Sequence, residues 1–384
     1  MNQSNIWRLE RRIIKTTQFE KLKIIGRGAY GDVWLVRDKE DQNLYAMKIL
    51  KKSELIAKQQ VMNTLSEREI MAFDNPWSVK LIYSFQDKIN LYFVMEYLPG
   101  GDLMNLLIKR NYLPESEAKF IFAELLLSIN NIHSNGFIHR DVKPDNILFS
   151  STGHLKLADF GLSAKIERDN DPYMLLIDDV NRLLRTDPRN STPAFNPCQS
   201  PYPNPKRSVL CSTVGTPDYI APEVLLKKPY DYWSFGLVMY ETLFGCPPFK
   251  SDSPRQTAFK IVKWRENLKF PIRPQVSTHA IDLIRHLLCG KEYRLGFEEI
   301  KNHPFFNGID FDTIQNTTPP QNIIPVISSE IDTSNFDEFE PRNNEKENDI
   351  YSEDLAISLA FMGFRYNRKL LTRTSPIWSP EFNF

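Results

Sequence analysis

The sequence predicts an α+β chain built of two unequal lobes, a small β-rich one followed by a larger α-helical one. Between Phe19 and Glu96, short runs of β-branched and aromatic residues alternate with turn residues, and a single helical stretch interrupts them. Pro99, Gly100 and Gly101 then break the chain. Beyond that break, apolar residues recur at helical rather than alternating spacing. A length of 384 residues, with 41% apolar and 25% charged residues, gives ample core for two to three compact units and excludes collagen-like or wholly disordered chains.

Strands are expected at Leu22 to Ile25, Asp32 to Val36 and Leu44 to Ile49, parted by a glycine cluster and a polar turn at Asp38 to Asn43. Lys51 to Phe73, rich in Lys, Glu, Gln and Leu, favours one helix. Two further strands follow at Val79 to Phe85 and Leu91 to Glu96. The clearest helix is Pro114 to Ser134, and the pattern resumes at Tyr232 to Leu243, Gln256 to Glu266 and His279 to Leu288. Arg168 to Lys206 turns rich in Asp, Asn, Pro and Arg and reads as a loop, in which Met174 to Leu184 alone fits a short amphipathic helix. Asn307 to Phe384 reads as an extended tail that wraps something or stays mobile.

Lys plus Arg number 48 against 48 Asp plus Glu, so no overall basic field favours nucleic acid or anionic lipid, and any polyanion must be met locally. Cys198, Cys211, Cys246 and Cys289 stand singly, which suits a reducing, intracellular compartment. No signal peptide and no apolar run of membrane-spanning length is expected.

Gly26-Arg27-Gly28-Ala29-Tyr30-Gly31-Asp32-Val33 has the form G-x-G-x-x-G-x-V, in which absent side chains let backbone amides approach phosphate oxygens; taken alone, it is equally a tight β-turn. Tyr45-Ala46-Met47-Lys48 would set an ammonium beneath that loop, and Glu67 can hold it in line as an ion-pair partner. His139-Arg140-Asp141-Val142-Lys143-Pro144-Asp145-Asn146, followed by Asp159-Phe160-Gly161, matches a protein-kinase catalytic loop and metal-binding triplet. In that chemistry Asp141 accepts the proton of an incoming hydroxyl, Lys143 adds positive charge beside the γ-phosphate, and Asn146 and Asp159 supply hard oxygen ligands for magnesium. Ala221-Pro222-Glu223 closes the activation segment.

Phe19 to Phe306 resembles the AGC group of serine/threonine protein kinases. Tyr83 to Lys88, Ser212 to Tyr219 and Ile331 to Phe339 resemble its NDR/LATS subgroup, as does the long stretch between Asp159 and Glu223. The resemblance implies a bilobal protein-kinase fold with a small β-rich N-lobe, a larger α-helical C-lobe and an extended AGC-type C-terminal tail. Its parts would be a short basic segment at 1–18, a kinase domain at 19–306 with an insert at about 168–206, and the tail at 307–384.

For this chain the resemblance implies ATP and Mg2+ as cofactors. Ile25, Val33, Ala46 and Met95 become walls around adenine, Glu96 and Leu98 present backbone groups to its edge, Asp102 meets the ribose and Phe336 of the tail lies against the nucleotide. Ser212 becomes an activation-loop phosphoacceptor with Arg140 as its charge partner, while Asp102, Asp145, Glu241 and Thr216 fall at the peptide site. Glu223 is expected to pair with Arg294, and Asp231 to brace the catalytic loop. The activity implied is transfer of phosphate to Ser or Thr in a basic context, in signalling for cell shape, polarity or division; a catalytically silent kinase-like scaffold is the alternative. A MOB-type co-activator is implied for the basic N-terminal residues Arg8, Arg11, Arg12 and Lys15, in a cytoplasmic setting with nucleus or cell cortex as additional sites.

The chain departs from the family at three places. Phe361-Met362-Gly363-Phe364-Arg365-Tyr366 carries arginine where the tail motif holds a phosphoacceptor, which leaves aromatic docking on the small lobe without that switch. The Val224 to Tyr230 connection is short, and so is the basic N-terminal segment.

Overall fold

The computed structural model describes residues 14–28, 31–166, 219, 231–272, 274–339 and 360–371. The small lobe is an antiparallel sheet of β1 (Phe19–Arg27), β2 (Asp32–Asp38), β3 (Leu44–Lys51), β4 (Leu81–Gln86) and β5 (Asn90–Glu96), with α1 (Lys52–Ala57) and α2 (Val61–Ala72) between β3 and β4. Strand alternation divides β3 between two environments. Tyr45 and Met47 pack with Phe19, Val36 and Tyr83 on the outer face, whereas Ala46 packs with Ile25 and Leu35 on the other. Lys48, two residues after Ala46, therefore projects from that second face, with Val33 and Phe93 as its strand partners.

The single helix expected over Lys51 to Phe73 is two helices. Gln59 adopts φ 55°, a left-handed conformation that ends α1, and the Gln60 amide closes back on Leu55 O at 2.7 Å. A non-glycine residue serves here, so composition carries no mark of the break. The segment expected as Gln256 to Glu266 is also divided. The observed strand β4 begins at Leu81 rather than Val79, because the Val79 amide donates to Leu157 O and ties that residue to the larger lobe.

In the larger lobe, α3 (Leu103–Arg110) and α4 (Glu115–Ser134) are followed by the short strands β6 (Phe137–Ile138), β7 (Ile147–Phe149), β8 (Leu155–Leu157) and β9 (Ala164–Lys165). Then come α5 (Asp231–Phe244), α6 (Pro254–Val262), α7 (Trp264–Asn267), α8 (Thr278–Leu287) and α9 (Phe297–Lys301). Helices α4 and α5 are apolar on most sides because they form the lobe's centre, with the Phe122 and Phe235 rings 5.4 Å apart. A Cβ on Gly236 would meet the Leu287 side chain at 2.8 Å, so α5 and α8 approach more closely there than a side chain permits.

The tail wraps both lobes. Asn322 Nδ2 donates to Glu117, Asn335 Nδ2 donates to Pro99 O at 3.1 Å, and the Tyr97 hydroxyl donates to Asp332 O. Gly101, at φ +71°, lies where a Cβ would stand 2.2 Å from Asn335 O, which explains why glycine occupies the inter-lobe break. Farther on, β10 (Tyr366–Asn367) joins β4 as a sixth strand, giving the order β1-β2-β3-β5-β4-β10, and α10 (Arg368–Leu371) follows. Phe361 and Phe364 are fully buried against the small lobe, Phe364 edge-on to Phe93 at 5.0 Å.

The expected helix Met174 to Leu184, the whole insert and the segment Val224 to Tyr230 lie outside the described residues, as do Ala29, Tyr30, Ser212, Thr216 and Glu223 and the basic residues Arg8, Arg11 and Arg12. No helix among the described residues is long and apolar enough to cross a membrane. Truncation of Phe364 to alanine should lower stability by about 3–5 kcal/mol, the usual cost of emptying a buried aromatic site. Urea unfolding of the full chain measures it, and a loss below about 1 kcal/mol would show that this aromatic does not bear core packing.

Candidate active site

A cleft of about 580 Å³ runs between the two lobes, with Ile25, Val33, Ala46, Met95 and Leu98 toward one end and Lys48, Asp141, Asn146 and Asp159 among its polar lining. Its roof is the glycine loop. Gly28 N donates to Gly31 O at 2.8 Å to close the turn, and a Cβ on Gly31 would fall 1.7 Å from Ile49 O, so the loop crosses β3 at a distance only glycine tolerates. Arg27 and Asp32 flank this turn as an ion pair at 3.3 Å, with the Arg27 guanidinium over the Phe339 ring.

Lys48 joins three elements. Its Nζ lies 2.7 Å from Glu67 Oε1 on α2 and 2.8 Å from Asp159 Oδ1. Burial by itself would depress the ammonium, but the carboxylates of Asp159 and Glu67 override it and hold Lys48 above its ordinary range. Burial raises Glu67, with Lys48 opposing, while Asp159 is drawn down to about 2, chiefly by Lys48. Asp159 therefore faces the cleft as a carboxylate at any ordinary pH.

The opposite wall is the catalytic loop. Asp141 Oδ2 accepts from Lys143 Nζ at 2.7 Å and from Asn146 Nδ2 at 3.0 Å, and Asn146 Nδ2 also reaches Asp141 O. With its Nδ2 committed, Asn146 has Oδ1 as its available acceptor, and this oxygen with the Asp159 carboxylate forms the hard donor set that suits a divalent cation. Asp231, buried at the start of α5, accepts from His139 N and Arg140 N, both at 2.8 Å, and from His133 Nε2. Those bonds hold its carboxylate below the usual range despite burial, and they bring the loop onto α5 while Arg140 takes φ +67°. Asp231 thus stands where the catalytic loop is braced, the short preceding connection notwithstanding.

Phe160 is fully buried beside the His139 ring at 5.1 Å. The Arg140 guanidinium donates to Leu162 O and Ser163 O, the segment just past the Asp159 triplet. Arg294 donates to Leu287 O and Cys289 O.

At the other end of the cleft, the Glu96 amide donates to Lys80 O, so its carbonyl is the backbone group it can present. Phe336 stacks on Tyr97 at 5.9 Å and packs toward Ile25 and Ala46. Asp102 caps α3 by accepting from Asn105 N at 2.7 Å, and burial lifts its carboxyl to about 6, with Asp145 adding to the rise. Asp145 is exposed at the cleft. Glu241 is not brought there: it is buried in α5, and its carboxylate accepts the hydroxyl of Tyr219.

The sequence reading missed Leu148, which lines the cleft from β7 and could have been found as the alternate residue between the buried Ile147 and Phe149. It also missed Phe339, which lies within the stretch quoted for Phe336. Outside the cleft, Asp282, His286 and His303 cluster among the described residues. There the Phe305 amide donates to His303 Nδ1, which places the ring proton on Nε2, toward Asp282, and occupies the lone pair a metal needs.

The protein kinase domain model matches residues 19–306. The chain is 42% identical over 390 residues to the serine/threonine-protein kinase CBK1 of Pneumocystis carinii, covering 95% of this chain and 76% of that protein. It is 43% identical over 352 residues to the serine/threonine-protein kinase tricornered of Drosophila pseudoobscura pseudoobscura, covering 86% and 74%. Against the serine/threonine-protein kinase sax-1 of Caenorhabditis briggsae it is 43% identical over 348 residues, covering 86% and 71%. A cleft of this construction between a β lobe and an α lobe defines a protein kinase, and the chain belongs to the protein kinase family. Within that family it is a serine/threonine kinase of the NDR/LATS type. Membership implies ATP, a divalent metal and protein substrates.

Two outcomes test the electrostatics. Lys48→Met strands the buried Glu67 carboxylate and should cost about 3 kcal/mol in urea unfolding, with Lys48→Met/Glu67→Leu recovering more than half; equal losses in both variants would mean that the pair is not coupled. Because Asp102 is charged above about 6 and neutral below it, nucleotide affinity should weaken as pH falls through that value. Asp102→Asn should bind more weakly with a flat profile, and an unaltered titration in that variant would remove Asp102 from the ribose contact.

Proposed function

We propose that this protein transfers the γ-phosphate of Mg-ATP to serine or threonine hydroxyls in basic-context protein substrates. The observation that carries the reading is the convergence of Lys48, Glu67 and Asp159 on one wall of the cleft with Asp141, Lys143 and Asn146 on the other. When bound, Mg2+ held by Asn146 Oδ1 and the Asp159 carboxylate would neutralise phosphate charge. Lys48, kept in line by Glu67, orients the α and β phosphates, and amides of the glycine loop cradle them from above. The hydroxyl of the acceptor donates its proton to Asp141, whose carboxylate is aimed by Asn146, while Lys143 offsets charge on the transferring group. Ile25, Val33, Ala46, Met95 and Phe336 enclose adenine, with the Glu96 carbonyl and the Leu98 backbone at its edge and Asp102 at the ribose.

Asp102, the exposed Asp145 and Glu241, whose carboxylate also accepts the Tyr219 hydroxyl, favour arginine ahead of the acceptor, and the family motif assigns Thr216 to the same peptide site. Phosphate on Ser212 would pair with Arg140 and order the activation segment. The kinase domain at 19–306 works with its tail, and the basic segment at 1–18 receives a MOB-type co-activator, in signalling for cell shape or polarity. The names of the relatives, all serine/threonine-protein kinases, support the turnover reading over a silent scaffold.

The test is radiolabelled phosphate transfer from Mg-ATP to a peptide with arginines before serine. Asp141→Ala should lower kcat about 10²–10⁴-fold with nucleotide binding retained, the usual worth of a positioned general base. Nucleotide binding without transfer by the unmutated chain would favour the scaffold.

A further inference from the structure

Helix α2 carries Glu67, yet it supplies little for its own C-terminal end: no basic residue lies in its last turn, and no left-handed glycine follows Ala72. The last carbonyls of a helix lack intrahelical donors and carry partial negative charge. Here the missing donors arrive from the tail, 296 residues farther along the chain. Arg368 Nη2 donates to Met71 O at 3.2 Å, Ala72 O at 2.9 Å and Phe73 O at 3.1 Å. Its Nε donates to Leu81 O at 2.8 Å, and Nη1 lies 3.5 Å from the Asp74 carboxylate.

One planar guanidinium thus spans the end of α2 and the start of β4 in a way that a point charge cannot. The backbone that presents it is itself held. Tyr366 and Asn367 pair with Ser84 and Tyr83, and the neighbouring Lys369 meets the Asp41 carboxylate and lies over the Tyr45 and Tyr83 rings at 5.1 Å. Met71 follows Glu67 by one helical turn, so a guanidinium bonded to the Met71 carbonyl restrains the turn whose side chain meets Lys48.

We propose that Arg368 is a positioning residue for phosphoryl transfer, clamping the C-terminal end of α2 so that Glu67 keeps Lys48 in line. This inference rests on the kinase reading above and adds to it a residue of the tail that acts through Glu67 without touching substrate.

The test uses the full chain with Arg368→Ala, Arg368→Lys, Arg365→Ala, Glu67→Gln and the Arg368→Ala/Glu67→Gln double variant. Transfer kinetics are read alongside amide hydrogen exchange over Val61–Ala72. Arg368→Ala should lower kcat about tenfold, with the peptide KM nearly unchanged, as expected for loss of charge-assisted hydrogen bonds acting on the reacting geometry. Exchange in α2 should quicken while that of α4 does not. Arg368→Lys should recover only part of the rate, added ethylguanidinium should partly rescue Arg368→Ala, and the exposed Arg365→Ala should match the unmutated chain.

In the Glu67→Gln background, adding Arg368→Ala should cost less than about twofold, because residues acting as one unit are not additive. An undiminished further loss in that background would overturn the proposal, as would unchanged kcat and α2 exchange in folded Arg368→Ala. Should Arg368→Ala fail to fold, Arg368→Lys carries the same comparisons. An unmutated chain without transfer refutes the kinase reading instead, and the exchange measurement then decides on Arg368 by itself.

Discussion

The ammonium of Lys48 is the point on which the site depends. It receives a carboxylate from α2 and another from the Asp159 triplet, so a strand, a helix and the floor of the cleft share one cluster of three charges. Burying Lys48 and Glu67 is costly, and an apolar substitute of equal volume is often as stable or more so. The triad therefore makes little sense as a device for stability. It makes sense as a device for holding a cation beside phosphate oxygens, with Asp159 kept ionised by the same ammonium that would meet the nucleotide.

The second constraint is the tail. It crosses the inter-lobe break at Gly101 and Asn335, lays Phe336 on Tyr97 beside the cleft, and farther on inserts Phe361 and Phe364 into the small lobe. A six-stranded sheet is complete only when Tyr366 and Asn367 join β4. The small lobe thus takes part of its core from residues far along the chain. The position of α2 inherits this dependence through the carbonyls that Arg368 gathers. Arginine at position 365 leaves both aromatic anchors buried, since it occupies an exposed position between them and Tyr366.

Much of the fold was legible because its signals are local. The five sheet strands and helix α4 announced themselves by period, and the glycine loop, Asp141 to Asn146 and Asp159 by spacing. Asp231 could be assigned as a brace from its motif alone, and its carboxylate indeed holds the His139 and Arg140 amides. The divided helix before β4 was not legible, because Gln59 takes a left-handed turn that glycine or asparagine would have advertised. Glu241 lies in α5, where its carboxylate accepts the hydroxyl of Tyr219, a partnership across 22 positions that no local pattern announces. Leu148 escaped notice because β7 is too short for its alternation to stand out.

The sequence by itself determined which chemical groups this protein owns and their spacing within each short motif, since these follow from covalent order and from backbone preferences that act over a few residues. Only the tertiary structure decided which of those groups meet. Lys48 and Asp159 are 111 positions apart, and Arg368 lies farther still from the carbonyls it caps. Charge attraction and hydrogen bonding act over a few ångströms, so these partnerships exist only after the hydrophobic cores of both lobes and the docked tail have brought distant segments together.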